Sequence, residues 1–145
     1  MLIVGGGQAG LTLAARLGRL NVDTLVIDKN ERIGDNWRKR YHSLALHNHT
    51  DINHLPYIPF PPHWPMYLPK DMLADWFEAY AWAMEINFWT GTELKQGRYD
   101  SATGTWTVTV RHLDGRERTL HPRHLVFANG IIGDRKSTRL NSSHT

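Results

Sequence analysis

A chain of 145 residues with 41% hydrophobic and 21% charged residues has room for one globular domain with a real core. With zero Cys it excludes disulfides and Cys-ligated zinc and fits a reducing, cytoplasmic compartment, and it holds neither a signal peptide nor an apolar run long enough to span a bilayer. Its net charge of +3 is too slight to point to a nucleic-acid partner.

Met1 stands almost directly on the first apolar run, so the usual lead-in before such a strand is missing. Leu2-Ile3-Val4 reads as a short buried strand, and Gly5, Gly7 and Gly10 follow it with the G-x-G-x-x-G spacing. Each glycine has its own physical task. Gly5 permits the tight turn, Gly7 lets backbone approach a pyrophosphate, and Gly10 lets the following helix pack close to the sheet. That helix is expected from about Gln8 to Arg19, on the apolar stripe of Ala9, Leu13, Ala14, Leu17 and Leu20, with Asn21 as its stop. Its free N–H groups would face the phosphates. Thr24 to Ile27 reads as a second buried strand ending in Asp28, eighteen residues after Gly10, where an acid accepts hydrogen bonds from ribose hydroxyls. Strand, spacing and acid together indicate a dinucleotide site, for FAD or for NAD.

Residues 29–40 have loop chemistry, with Asn30, Gly34 and Asp35, and Arg38-Lys39-Arg40 reads as a solvated basic edge. His42, His47, His49 and His54 follow, but His47-x-His49 lacks a third ligand at set spacing, so no metal is expected. Six of the seven prolines fall between Pro56 and Pro69, which forbids a helix or a central strand. The segment reads as a rigid extended connection whose Tyr57, Phe60, Trp64 and Tyr67 are expected to be buried. Leu73, Trp76, Phe77, Tyr80 and Met84 mark a helix from Lys70 to about Ile86. Strands are expected at 86–90 and 93–99, and Trp106, Val108 and Val110 alternate as a half-buried strand. With turns at 100–104 and at Asp114-Gly115, residues 93–120 form an antiparallel meander. His124 to Ala128 is a final apolar strand ending in Ala128-Asn129-Gly130.

Gly34-Asp35-Asn36-Trp37, Arg40-Tyr41, Leu44-Ala45-Leu46-His47, Leu55 to Pro61, Pro69-Lys70 and Leu125 to Gly130 together resemble the flavin-containing monooxygenase superfamily, in its fungal, bacterial and YUCCA-like members. The resemblance covers essentially residues 1–133. It implies an α/β fold: a Rossmann-type parallel sheet of the class with two dinucleotide-binding domains, carrying a helical insertion at about 41–86 and the β-meander at about 93–120. It also implies an NADPH-dependent enzyme in which NADPH reduces FAD and O₂ adds at the flavin C4a. The resulting hydroperoxide would oxygenate a small organic substrate. The cofactor-binding set implied is Gly5, Gly7, Gln8, Ala9, Gly10, Asp28, Lys29, Gly34, Trp37, Leu46, Ala128 and Gly130. His47 falls where many members place an asparagine facing the flavin, so it is the catalytic candidate, with a hydrogen-bonded structural histidine as the competing reading; on the first, His47→Ala in the full-length protein would accelerate peroxide release. Asn129 replaces the family's usual threonine in the Ala-Thr-Gly turn.

Residues 134–145 change character abruptly, and Asp134 to His144 resemble, codon by codon, a translated sequencing adapter. They hold three basic residues and one acidic, leaving 14 against 13 in residues 1–133. The reading is therefore an incomplete FAD-binding domain at 1–133 and a non-native tail at 134–145, with the NADPH fingerprint expected beyond Gly133. A disulfide-reductase-type flavoprotein and a non-enzymatic dinucleotide-binding module are the alternatives. Neither substrate identity nor oligomeric state is set by these residues.

Overall fold

The computed structural model describes residues 1–48, 50, 53–129 and 139–143, the last five as backbone alone. Its centre is an all-parallel sheet of β1 (Leu2–Val4), β2 (Leu25–Ile27), β3 (Phe88–Trp89) and β7 (Leu125–Phe127), in the order β3-β2-β1-β7. Between them run α1 (Gln8–Arg19), the short α2 (Asp35–Arg38) and α3 (Lys70–Ala83). An antiparallel meander, β4 (Thr92–Asp100), β5 (Thr105–His112) and β6 (Glu117–Leu120), separates β3 from β7. This is the expected α/β architecture. The region read as an insertion is the crossover that carries the chain from β2 to its parallel neighbour β3.

Period-two alternation explains why the central strands are apolar throughout. Leu2, Ile27 and Leu125 face the meander and meet Leu94, Val108 and Val110. Ile3, Val26 and Val126 face the other way and meet Ala14 and Leu13 of α1. A third core joins Leu11 and Ala15 of α1 to Leu73, Phe77 and Tyr80 of α3, with Leu55, Phe60 and Leu68 between. The sheet is thus a middle layer between meander and helices. Asn21 stops α1 as expected, at φ 59°, with Val22 N–H returning to the Leu17 carbonyl at 3.0 Å.

The proline-rich segment is held to α3 by the Tyr80 hydroxyl, which donates to the Pro56 carbonyl at 2.8 Å. Phe60 is buried and stacks on Trp64, both against Trp76. Tyr57 and Tyr67, expected inside, are about half exposed at 47% and 48%. Tyr57 turns the chain at φ 76° and lays its ring beneath Arg16 and Arg19. The basic run is also unlike its expectation, because Arg38 is ion-paired beneath the surface. It donates to Asp35 at 3.0 Å and to Asp75 at 2.8 Å, tying α2 to α3.

Residues 139–143, set aside from the fold in the sequence reading, form β8 (Arg139–Ser143) in parallel with Gln96–Asp100 of β4. An edge strand offers main-chain donors and acceptors to any extended segment, so a polar sequence without periodicity can take this place. Among the described residues no helix is long and apolar enough to cross a membrane.

Candidate functional site

A cleft of about 980 Å³ opens where β1 runs into α1, between the ends of β2 and β7 and the wall made by α2. The three fingerprint glycines shape it in different ways. Gly5 has φ +116°, and a Cβ there would stand 2.4 Å from the Ala128 carbonyl oxygen. At Gly10 a Cβ would fall 1.9 Å from the Gly5 carbonyl oxygen. Gly7 has nothing among the described residues within 4 Å of where its Cβ would lie, so there the backbone is bare toward the cleft. Gly7 is the N-cap of α1, without a side-chain cap, and its carbonyl already takes the Leu11 N–H at 3.0 Å. The first N–H groups of the helix are left for a ligand, with the positive end of the helix dipole behind them.

Asp28 is tied into this turn. Its Oδ2 accepts the Gly6 N–H at 2.9 Å and its Oδ1 accepts the Asn30 N–H at 2.8 Å. Each carboxylate oxygen keeps a further lone pair for a ribose hydroxyl. The same acid therefore locks the glycine turn to the end of β2 before any ligand arrives. The loop after β2 is in turn zipped to the start of β4: Thr92 N–H donates to the Asp28 carbonyl at 2.9 Å and Gly91 N–H to Asn30 at 2.7 Å. That brings Thr92, Glu93 and Leu94 to the cleft, a contribution from the meander that no local pattern announces.

Of the residues singled out in sequence, Gly5, Gly7, Gln8, Ala9, Asp28, Lys29, Trp37 and Ala128 line the cleft. Gly10 and Gly34 support it from behind. Gly34, at φ +97°, lies so close to α3 that a Cβ would meet the Ala74 carbonyl oxygen at 2.4 Å. Leu46 is half-buried against the α1–α3 core, its N–H donating to Leu68 at 2.9 Å. His47, one residue on, is exposed; neither residue lines the cleft. His49 and Gly130 lie outside the described residues.

Asn36, Lys39 and Arg40, which the sequence offered only as motif or solvated-edge residues, also line the cleft on the α2 wall. Arg40 lies over the Trp37 ring, 5.1 Å from its centroid, and Lys39 Nζ donates to Asn30 Oδ1 at 3.1 Å. The wall is fixed from beneath by Lys70, whose buried Nζ donates to the Arg38 carbonyl and to Asp71, each at 2.8 Å. On the outer side Arg32 holds Glu78 below the usual carboxylate range, first by their hydrogen bond at 2.7 Å and then by charge. Burial opposes the charge of Arg38, but its hydrogen bonds to Asp75 and Asp35 outweigh that and raise its pKa.

Residues 3–67 match the family described as NAD(P)-binding Rossmann-like domain. The chain is 38% identical over 130 residues to the indole-3-pyruvate monooxygenase YUCCA1 of Oryza sativa subsp. japonica, covering 89% of this chain and 31% of the rice protein. It is 34% identical to the probable indole-3-pyruvate monooxygenase YUCCA9 of Arabidopsis thaliana, over 99% of this chain and 34% of that one. It thus spans about a third of these curated relatives, and the resemblance to flavin monooxygenases seen in its motifs is borne out. Among solved structures, a flavin-containing monooxygenase from Stenotrophomonas maltophilia superposes with a TM-score of 0.78 at 22% identity, covering 89% of this chain and 37% of that one. A bacillithiol disulfide reductase from Staphylococcus aureus also reaches 0.78, at 18% identity with the same coverages. At such identities these two show a shared fold.

Proposed function

We propose that this chain, a relative of the YUCCA-type flavin monooxygenases, is the FAD-binding part of an NADPH-dependent monooxygenase acting on a small organic substrate with O₂. The observation that carries the reading is the bare Gly7 backbone at the N-terminus of α1, beside a clasped Asp28 in one cleft. These residues fit a dinucleotide. The α1 N–H groups would hold the pyrophosphate, the free lone pairs of Asp28 the adenosine ribose, and Trp37 a wall of the site. When bound, the flavin supplies hydride acceptance and oxygen activation; the chain's own residues bind it, orient it and keep water from it.

On this reading the domain runs through residues 1–133, NADPH binds in a part of the parent protein beyond them, and residues 134–145 are foreign to it. His47 would take part only where a further domain or a substrate covers its exposed face. The fold neighbour that reduces disulfides favours a second reading, a flavin reductase, although this chain has no Cys of its own. Oxygen uptake by the full-length parent decides the matter. NADPH-dependent O₂ consumption that yields an oxygenated product supports the monooxygenase; NADPH-driven disulfide reduction without O₂ uptake would replace it with the reductase.

A further inference from the structure

We propose that Arg40 is a phosphate-binding residue of the cleft, its guanidinium closing on the dinucleotide pyrophosphate from the side opposite the α1 N-terminus. This rests on the dinucleotide reading of the cleft and adds a residue to it. Among the described residues four cationic side chains line the cleft, Arg16, Lys29, Lys39 and Arg40, and their surroundings separate them. Arg16 lies over the Tyr57 ring, Lys39 is bonded to Asn30, and Lys29 is exposed.

Arg40 is half-buried and held in two ways, over the Trp37 ring with Cζ 5.1 Å from its centroid and through Nε, which donates to the Asn36 carbonyl at 3.2 Å. Its two terminal nitrogens bond to no acceptor among the described residues. The carboxylates of the cleft among the described residues are otherwise engaged. Asp28 takes the Gly6 and Asn30 N–H groups, Asp35 takes Arg32 N–H and Arg38, and Glu93 stands 3.1 Å from Lys95. A guanidinium held over an indole is weakly hydrated and already oriented, and its remaining fork matches two phosphate oxygens. Such a group gives up little freedom on binding, unlike a lysine on a mobile stem.

The test is titration of the chain with FAD, ADP and adenosine, in wild type, Arg40→Met and Arg40→Lys, at low and high salt. Arg40→Met should weaken FAD and ADP by about tenfold or more, the worth of a charged hydrogen bond, and leave adenosine unchanged. The ADP affinity of Arg40→Met should also depend less on salt, and Arg40→Lys should restore that dependence with only part of the affinity. Unfolding of the ligand-free variants should differ from wild type only slightly, since among the described residues Arg40 pairs with no carboxylate and loses only its contact with Trp37 and its bond to the Asn36 carbonyl. Equal losses for ADP and adenosine, or an unchanged salt dependence for ADP, would overturn the proposal. Wild-type binding of ADP without FAD would remove the flavin reading and leave Arg40 to be judged on ADP. Binding of neither would remove both.

Discussion

Gly7→Ala and Gly10→Ala make the same chemical change three residues apart, and the structure predicts opposite consequences. At Gly10 the new Cβ would lie 1.9 Å from a backbone oxygen, against an ordinary contact of at least 3.4 Å. The start of α1 would have to retreat by about 1.5 Å, lifting the packed face of Leu11, Ala14 and Ala15 off the sheet and α3, at a cost of about 3 kcal/mol or more. Against a net stability of about 5–15 kcal/mol for a domain, that is a large fraction. At Gly7 the Cβ meets nothing, and φ −90° with ψ −160° is backbone that alanine adopts freely. The poorer N-cap and the stiffer unfolded chain nearly cancel, so folding should change by less than about 1 kcal/mol. The methyl group would instead occupy the surface that a pyrophosphate needs, and dinucleotide affinity should fall by about tenfold or more. Urea unfolding followed by circular dichroism reads the first effect and FAD fluorescence quenching the second. A Gly10→Ala variant as stable as wild type, or a Gly7→Ala variant that binds FAD normally, would refute the reasoning.

Other perturbations follow from the same geometry. Gly34→Ala should cost about 1–3 kcal/mol in urea unfolding, because its Cβ meets the α3 backbone at Ala74, and it should loosen the α2 wall and weaken FAD. Tyr80→Phe should lose about 0.5–1.5 kcal/mol by leaving the Pro56 carbonyl without its donor, read as a lower urea midpoint at unchanged slope. Glu78 has a depressed carboxyl pKa, so its contribution is present above its ordinary 4.5 and lost as pH falls through the lower folded value. The stability gap between wild type and Glu78→Gln should accordingly be constant above about pH 5 and shrink in more acid solution. Deleting residues 134–145 should leave FAD affinity unchanged, since β8 pairs with Gln96–Asp100 of β4 and the residues of β4 that line the cleft are Thr92–Leu94.

The central sheet, α1 and the meander were legible in the sequence because each has a strong local period. Leu2-Ile3-Val4 and Leu25-Val26-Ile27 are apolar on both faces, and Trp106, Val108 and Val110 alternate. The glycine turn was legible because φ and close approach leave glycine alone at Gly5 and Gly10. Tertiary contacts carried what could not be read. Arg38 looked like part of a solvated run because its partner Asp75 is 37 residues away on α3. The double clasp of Asp28 depends on where the glycine turn returns, and Thr92 reaches the cleft only because β4 starts beside Asp28. Leu46 and His47, adjacent in sequence, lie one against the α1–α3 core and one exposed, and neither is among the residues that line the cleft, a placement no local pattern carries.

Titration of FAD into the purified 145-residue chain, followed by flavin fluorescence, tests the central claim most directly. Saturable one-to-one binding, displaced by ADP and weakened in Gly7→Ala, is the expected result. A chain that leaves FAD fluorescence unchanged while binding NAD would contradict the account and make the cleft a nicotinamide site.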